Sequence, residues 1–511
     1  MLKIINQTNI NCIKMTIIDE LVDRGVLVSP ELIEQNYDEE IIKEVVDFFG
    51  DDLDVLDTEL LKNYLSKQKK VKKNNIEIVK EYKGEAKKRE YNDFVGVFNL
   101  RFKNTMNLLR SRQELSQISS ISRLKSKNQN ERVAIIGMVL EKSFTKNQNI
   151  ILNLEDQTGT FTVIIRKTDD NLDLFNIAQD LQLDEIIGVT GVILNQAIFA
   201  DSIIFPDVPI SNELKKQPDE EYAVFIGDQH FGSKVFLKKS FEKFLSWING
   251  EIGSETQRNI AKKVKYVIMS GDIIEGAGTY PGQQDDLEIL DVEKQYEEAA
   301  KYLKKIPSHI QMITISGNHD VGRLAEPQEK PYMEVAKSLY ELPNLKLSTN
   351  PCTINIGKTD DFPGFNIMIY HGGSLIYYSE NIPSIRAQGG QKKVDLIMKF
   401  MLQRRHLAPT HGSTLIIPDP KEDHLFIENV PDFLITGHIH RASVANYRNV
   451  TMINTSCWTE TTEDQIKRGL QPQPARVTIV NLKTREVKLM NFLTQDQKEL
   501  EQKKLEKLKN E

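Results

Sequence analysis

The chain has 511 residues, of which 40% are hydrophobic and 27% charged, and this composition excludes a disordered, collagen-like or coiled-coil protein. At about 100 to 200 residues per domain, the length predicts about three folded units. The cysteines, Cys12, Cys352 and Cys457, lie too far apart for a disulfide framework or a paired-cysteine zinc site, which favours a reducing compartment. We expect no export signal and no membrane span, because no apolar run is long enough.

The net charge of −7 is distributed unevenly along the chain. Residues 1–61 contain 15 Asp and Glu against 4 Lys and Arg, and their apolar residues recur at helical spacing. This predicts an acidic helical module, whose charged face either contacts a basic protein partner or only keeps the module in solution. Residues 62–133 contain 19 Lys and Arg against 7 Asp and Glu. We predict a flexible basic linker over residues 62–129, solvated and able to touch phosphate.

Short alternating apolar runs follow over residues 130–206. Five predicted strands, with a helix-compatible stretch between the third and the fourth, match the element order of an OB-fold β-barrel. Such barrels often stack nucleic-acid bases on aromatic side chains, but the aromatic residues of this segment are all phenylalanines, with no Trp or Tyr. We therefore favour a barrel that docks another protein over one that binds nucleic acid.

Strands and helices alternate from residue 220 to residue 493, before a charged tail over residues 494–511. Several apolar runs in this part end in polar clusters, and glycines in the clusters allow sharp turns. Because ligands sit at the carboxyl ends of strands in layered α/β folds, we expect the clusters to share one site. The runs are Tyr222–His230, Tyr266–Asp272, Met312–Asp320, Phe365–Gly373 and Phe433–His440.

The clusters combine imidazole, carboxylate and amide groups. Five of the nine histidines fall in them, which random placement would rarely produce. This donor set suits manganese, iron or zinc better than magnesium alone, and it exceeds what one ion needs. Two divalent ions about 4 Å apart, bridged by Asp272, would suit phosphoester hydrolysis. The collected side chains are Asp228, His230, Asp272, Asn318, His319, His371, His438 and His440.

The order of motifs Asp-x-His, Gly-Asp, Gly-Asn-His-Asp, His-Gly and Gly-His-x-His resembles the calcineurin-like metallophosphoesterase superfamily. The resemblance implies a two-sheet α/β sandwich over residues 220–493, with a dinuclear centre bridged by Asp272. It also implies that His319 orients the phosphate and protonates the leaving oxygen, with Asp320 tuning it. The implied ligands are Asp228, His230 and His440 for the first ion, and Asn318, His371 and His438 for the second.

The residues that flank these motifs indicate the class of substrate. Protein phosphatases of the superfamily carry an arginine-containing GDxVDRG motif and GNHE, whereas this chain reads GDIIEGAG, with Gly276 at the arginine position, and GNHD. The domain order, together with GDIIEGAGTYPGQQDDLEI and GNHDVGRLAEPQ, resembles the small subunits of archaeal D-family DNA polymerases. That resemblance implies a 3′ to 5′ proofreading exonuclease acting on single-stranded or mismatched primer DNA. It further implies docking to the large catalytic subunit, indirect contact with the sliding clamp, and a cytoplasmic, nucleoid-associated location.

Three further features are compatible with more than one role. Arg323 could bind a substrate phosphate or form a surface ion pair. A predicted amphipathic helix over residues 392–405 could line the path of a single strand or present a solvated basic face. His411, in a proline-rich loop, could approach the metals or have no role.

Two other functions remain open at this level. The chain could be a catalytically silent structural subunit whose metal centre stabilises the fold. It could also be a stand-alone nuclease or small phosphodiesterase, although the added barrel and helical module count against this.

Overall fold

A computed structural model describes residues 76–84 and 87–501 and parts of the first 75 residues, namely 21–22, 25–30, 42, 45–46, 53, 55–62 and 64. The chain forms two compact units, Met1–Asn75 and Ile76–Glu511. In the first unit, strands β1 (Leu27–Val28) and β2 (Val55–Leu56) pair in parallel, and Leu56 and Leu61 are buried in a small core. Most of the predicted acidic helical module lies outside the described residues.

The segment predicted as a flexible linker forms regular secondary structure over much of its described part. Strand β3 (Glu77–Lys80) pairs with the strand Cys352–Ile356, far along the chain, and helix α1 (Tyr91–Arg110) extends over 20 residues. A short helix, α2 (Ile121–Leu124), precedes the barrel. The expectation of a flexible linker is therefore wrong for these residues, because their apolar side chains pack against both neighbouring regions. The lysine-rich run at residues 67–73 lies outside the described residues.

Five strands close into the barrel predicted from the sequence, with helix α3 (Leu172–Asp180) between the third and the fourth. Alternate residues of each strand face the interior, where isoleucine, leucine and valine side chains are fully buried. Phe175 and Ala178 of α3 pack against this interior. In hydrogen-bonded order the strands are β4 (Arg132–Phe144), β5 (Ile150–Asp156), β6 (Gly159–Ile165), β8 (Ala197–Ile204) and β7 (Ile186–Leu194).

The remainder of the second unit is built on two six-stranded sheets. The first sheet has four neighbouring parallel strands, and its last two strands each pair antiparallel with the strand before them. Its order is β12 (Leu345–Ser348), β11 (Gln311–Ile315), β10 (Val264–Met269), β9 (Tyr222–Ile226), β18 (Arg476–Asn481) and β19 (Val487–Asn491).

The second sheet has a parallel centre with antiparallel strands on both sides. Its last strand, β3, comes from before the barrel. The order is β16 (Ser443–Tyr447), β17 (Val450–Asn454), β15 (Phe433–Thr436), β14 (Phe365–Tyr370), β13 (Cys352–Ile356) and β3.

The two sheets pack face to face and are covered by helices on their outer faces. Phe225 of β9 and Phe433 of β15 meet in the core between the sheets, with ring centroids 5.9 Å apart. Val224 and Ile226 point the other way, towards the helices, which explains why the strands are continuously apolar. The covering helices are α4 (Lys238–Ile248), α5 (Glu255–Lys262), α6 (Val292–Leu303), α7 (Met333–Tyr340), α8 (Leu375–Asn381), α9 (Pro383–Ala387) and α10 (Val394–Arg404). A further short helix, α11 (Glu463–Lys467), follows the last strand of the second sheet in the chain.

Buried ion pairs tie the linker helix and the barrel to this sandwich. Arg101 of α1 lies 2.8 Å from the Asp423 carboxylate, and Arg404 of α10 lies 3.1 Å from Glu185 at the start of β7. None of the helices in the described part of the chain combines the length and apolar character needed to cross a membrane.

Candidate metal centre

Five strand ends converge at one edge of the sandwich. Strands β9, β10 and β11 run parallel in the first sheet, and β14 and β15 run parallel in the second. The loops that leave these strands carry all seven side chains expected from the sequence to bind metal, and the structure brings them together. They are Asp228, His230, Asp272, Asn318, His371, His438 and His440.

The first group of donors consists of Asp228, His230 and His440, whose ligand atoms all lie within 4.8 Å of one another. The Nε2 atoms of His230 and His440 are 3.1 Å apart. Nε2 of His440 is 3.5 Å from Oδ1 of Asp228. Two imidazoles and a carboxylate from two different sheets therefore face one point.

The second group of donors consists of Asp272, His371 and His438. Nε2 of His371 lies 3.3 Å from Oδ2 of Asp272 and 3.0 Å from Oδ1 of Asn318, so the amide belongs to the same group. The same Oδ2 atom of Asp272 is 3.8 Å from Nε2 of His230 in the first group. Asp272 therefore borders both groups.

The backbone at these loops is strained. Five of the seven candidate ligands have φ between 50° and 68°, a left-handed conformation that non-glycine residues adopt rarely and at an energetic cost. The surrounding sheets must hold these residues in place, and sequence periodicity carries no signal of this conformation. The five are Asp228, His230, Asp272, His438 and His440.

Two glycines let the loops approach the carboxylates closely. A Cβ atom on Gly317 would lie 2.2 Å from Oδ1 of Asp272, and one on Gly437 would lie 2.6 Å from Oδ2 of Asp228. Both distances are far below van der Waals contact. Any side chain at these positions would therefore displace a candidate ligand.

The buried charges of the site favour a cation. Burial raises the pKa of Asp272, but the nearby His371 and His319 outweigh this and hold it well below its ordinary value. Burial lowers the pKa of His371, whereas the Asp272 carboxylate raises it, with a net result of about 10. Burial and the neighbouring His371 lower the pKa of His438 to about 4. Asp272 is therefore ionised, with the positive charge of His371 beside it, whereas His438 is neutral at pH 7.

The donor set fits the divalent ions that the sequence motifs imply. Four imidazoles, two carboxylates and one amide oxygen form the two groups described above, and a third group of His230, Asp272 and His319 overlaps both. Imidazole together with carboxylate suits manganese, iron or zinc.

His319, which the motif resemblance keeps apart from the ligands, lies on the wall of an open cleft of about 860 Å³ that is also lined by five of the donors. Its Nδ1 atom is 2.8 Å from the backbone oxygen of Glu275 and 3.6 Å from the carboxylate Oε1 of the same residue. Because the hydrogen bond from Nδ1–H to a carbonyl oxygen fixes the tautomer, Nε2 of His319 is the nitrogen that is left to interact with a molecule in the cleft.

Glu275 is a site residue that sequence reasoning missed. Its carboxylate is buried and also approaches His230. Burial raises the pKa of Glu275, but hydrogen bonding to His230 and the charges of His230 and His319 lower it overall. Its position three residues after the candidate ligand Asp272, in GDIIEG, is the sequence feature that could have identified it as a site residue.

Asp320 does not contact the His319 ring, contrary to the role expected for it. Its buried carboxylate accepts hydrogen bonds from the backbone N–H groups of Gly317, Ile273 and Ile274. Burial and the nearby Asp272 raise the pKa of Asp320 to about 7. Asp320 therefore braces two ligand loops.

Arg323 does not line the cleft. Its guanidinium lies 3.1 Å from the Glu329 carboxylate, donates to the backbone oxygen of Pro327, and sits 4.8 Å from the ring centroid of Tyr82. These contacts match the ion-pair alternative rather than the phosphate-binding one.

His411 and part of the basic helix also lie away from the donors. The backbone N–H of His411 donates to Asp184, and its ring contacts Phe94 and Phe98 of α1. In the stretch predicted as a helix over residues 392–405, Lys392 is exposed, but Arg404 is buried against the barrel. The expected basic outer face is therefore wrong for its C-terminal end.

Comparisons with known proteins relate the chain to subunits of DNA polymerases. Residues 223–445 match the family of the DNA polymerase alpha/epsilon B subunits. A solved structure described as a novel archaeal phosphodiesterase is 14% identical and covers 53% of this chain and 98% of its own, with a TM-score of 0.24, which is too weak a likeness to indicate fold or function.

Two archaeal relatives align over most of their length. The DNA polymerase II small subunit of Archaeoglobus fulgidus is 38% identical over 79% of this chain and 78% of that protein. The DNA polymerase II small subunit of Methanothermobacter thermautotrophicus is 38% identical over 77% of this chain and 78% of that protein. At this identity and coverage, the chain belongs to the DNA polymerase II small subunit family.

Proposed function

We propose that this chain is a metal-dependent 3′ to 5′ DNA exonuclease that proofreads within a heteromeric replicative polymerase. The observation that carries the proposal is the pair of donor groups sharing Asp272, with the His319 imidazole on the wall of the same cleft. Two ion sites with a positioned imidazole suit hydrolysis of a phosphodiester. We assign the sandwich to the calcineurin-like phosphoesterase fold and the barrel to the OB-fold.

In this proposal Asp228, His230 and His440 would hold one ion, whereas Asn318, His371 and His438 would hold the other. Asp272, which borders both groups, would contribute to both sites. Bound there, two divalent ions, for which manganese is our first choice, supply Lewis-acid polarisation of the phosphodiester and activation of the attacking water.

The protein's own groups position the substrate and move a proton. The Glu275 backbone oxygen holds Nδ1 of His319, so Nε2 can carry a proton to the leaving 3′ oxygen as the phosphodiester bond breaks. Removal of such a general acid typically lowers the rate by about 10² to 10⁴-fold. Asp320 acts indirectly by holding the loops that carry Asp272 and Asn318.

The family membership supports the assembly part of the proposal. We infer that the chain binds the large catalytic subunit, with the barrel as the docking surface, and meets primer DNA and the sliding clamp at the nucleoid through that complex. A protein-docking barrel is supported by its aromatic content, which is limited to phenylalanine over residues 130–206.

The test compares wild type with His319→Ala, each alone and with the large subunit, on a 5′-labelled strand carrying a mismatched 3′ end in manganese. We expect only wild type to shorten the strand from its 3′ end, while metal content and assembly stay the same in both. His309→Ala, which changes an exposed histidine outside the site, is the matched control and should retain activity.

Equal shortening by wild type and His319→Ala would overturn the assignment of His319. If no protein shortened the strand in manganese, iron, zinc or magnesium, the exonuclease proposal would fail, and a structural role for the centre would replace it.

A further inference from the structure

A second cleft, which we call the basic groove, opens beside the metal centre. It has a volume of about 490 Å³, which is within the range of natural ligand sites. Its walls come from α8, from α9 and the loop after it, from the loop around His440, and from the segment after α11. Its charged and amide side chains include Arg386, Lys392, Arg441, Arg468, Gln391 and Glu380.

The basic groove is continuous with the metal cleft. Five residues line both of them, among them Gln391 and Arg468. Another of the five is Ile439, which lies between the candidate ligands His438 and His440 in the chain. A strand with one phosphodiester at the metal centre could therefore extend directly into the groove.

The charge of the groove is opposite to that of the whole chain. Four cationic side chains and one carboxylate, Glu380, line it, although the chain carries a net charge of −7. Arg386 and Lys392 are exposed to solvent, and Arg441 is fixed by a hydrogen bond to the backbone oxygen of Gln471. Such a local cluster of cations attracts a polyanion even though the net charge of the whole chain is negative.

The part of the metal cleft outside the groove lacks this character. Its described lining has one lysine, Lys234, against three carboxylates, those of Asp272, Glu275 and Asp286, so cationic charge does not prevail there. A polyanionic strand leaving the metal centre is therefore drawn towards the basic groove.

We infer that the basic groove holds the backbone phosphates of a single DNA strand, on the 5′ side of the bond being cleaved. This rests on the proposed exonuclease function and adds the substrate path to it. A concave groove lined by cations tracks the backbone of a flexible strand. Because no aromatic side chain among the described residues lines the groove, bases have no stacking platform there, and we expect binding without sequence preference.

The test uses the full-length chain with Arg386→Ala and Lys392→Ala combined. Binding of a fluorescein-labelled oligo-dT is followed by anisotropy in chelator, where hydrolysis cannot occur, over a series of salt concentrations. We expect affinity for the oligonucleotide at 0.1 M salt to fall at least about fivefold. The slope of log K against log salt should become less negative by about 1.4, since each of the two lost single-strand phosphate contacts contributes about −0.7. The control, Lys301→Ala with Lys337→Ala, removes two exposed lysines from α6 and α7 and should change neither value.

A second readout separates this proposal from the exonuclease proposal. In manganese, the ratio of kcat/KM for the oligonucleotide to that for bis(p-nitrophenyl) phosphate should fall at least about fivefold in the groove variant. The groove assignment would be overturned if the groove variant kept the affinity and the salt slope of wild type. It would also be overturned if the control variant lost as much affinity as the groove variant. Absence of all hydrolysis by wild type would refute the exonuclease alone, because the binding measurement in chelator still decides the role of the groove.

Discussion

Oε2 of Glu275 lies 3.0 Å from Nδ1 of His230. The carboxylate thus lies at ion-pair distance from an imidazole whose other nitrogen faces the first donor group, and its second oxygen approaches His319. A carboxylate behind a metal-binding histidine fixes its tautomer and increases its basicity. Glu275 therefore links metal binding to the position of the proposed proton donor.

We predict that Glu275→Gln weakens metal binding about 10 to 100-fold, because the amide removes the negative charge behind His230. Titration calorimetry with manganese measures this directly. Asp286→Asn is the control, since Asp286 is another cleft carboxylate but bonds to the Tyr280 hydroxyl. Equal manganese affinity in wild type and Glu275→Gln would show that the carboxylate does not support the site.

Removal of divalent metal should lower the melting temperature by several degrees. An ion that binds only the folded chain adds about 2.7 kcal/mol of stability at 100 times its Kd, and ions held between two sheets oppose the separation of those sheets. Thermal unfolding with chelator, and then with manganese restored, provides the measurement. Asp272→Asn should abolish the gain on adding manganese, because Asp272 borders both donor groups. An unchanged melting temperature in a metal-loaded protein would contradict the prediction.

Glu326 predicts a pH dependence of stability. Burial raises its pKa from 4.5 to about 7, although hydrogen bonds from Tyr370 and Thr414 and the charge of His371 oppose the rise. The folded chain keeps a proton that the unfolded chain releases, so this contribution is complete below about pH 4.5 and is lost as the pH rises to 7. At about 1.4 kcal/mol per pKa unit, it amounts to at most about 3 kcal/mol.

Glu326→Gln should therefore flatten the fall in the free energy of unfolding between pH 5 and pH 7. Urea denaturation at these two values measures the difference. Glu380→Gln, at an exposed carboxylate, is the control and should keep the wild-type dependence. The prediction fails if Glu326→Gln and wild type change in parallel.

The buried pair of Arg101 and Asp423 should be important for stability. Arg101 also donates to the backbone oxygen of Pro409, and Asp423 lies 3.0 Å from Nε2 of His406. Arg101→Met leaves a buried carboxylate without its main partner, and we expect a loss of about 3 to 5 kcal/mol. Chemical denaturation measures it, with Arg110→Met at the exposed end of α1 as the control. A double variant with Asp423→Asn should lose less than the sum of the two single variants, and strict additivity would show that the pair does not interact.

The site could be predicted from the sequence because its motifs follow buried strands. Parallel strands bring their carboxyl ends to one edge, so motifs far apart in the chain, such as those at Asp228 and His440, could be expected to meet. The left-handed backbone at these residues could not be predicted, because it depends on packing between the sheets. The partner of His319 was also missed, because Glu275 reaches that imidazole through the turn of its loop.

The fold was predicted least well before the barrel. The buried face of α1 includes Arg101 and Thr105 as well as Val97 and Leu109 at intervals of four residues. A search for apolar periodicity misses such a face, since two of its members are polar. The high lysine and arginine content then favours a solvated linker, whereas the structure pairs one of these cations with a buried carboxylate.

Strand β3 has a consequence for how the chain can be divided. It completes the edge of the second sheet beside β13, with Ile78 opposite Ile354, although the whole barrel separates it in sequence from the rest of that sheet. The barrel is therefore an insertion within the sandwich, anchored on both sides. A fragment that begins at the barrel would leave the edge of β13 unpaired and expose Ile354. A truncation intended to preserve the two-sheet sandwich must therefore retain residues from Ile76 onward.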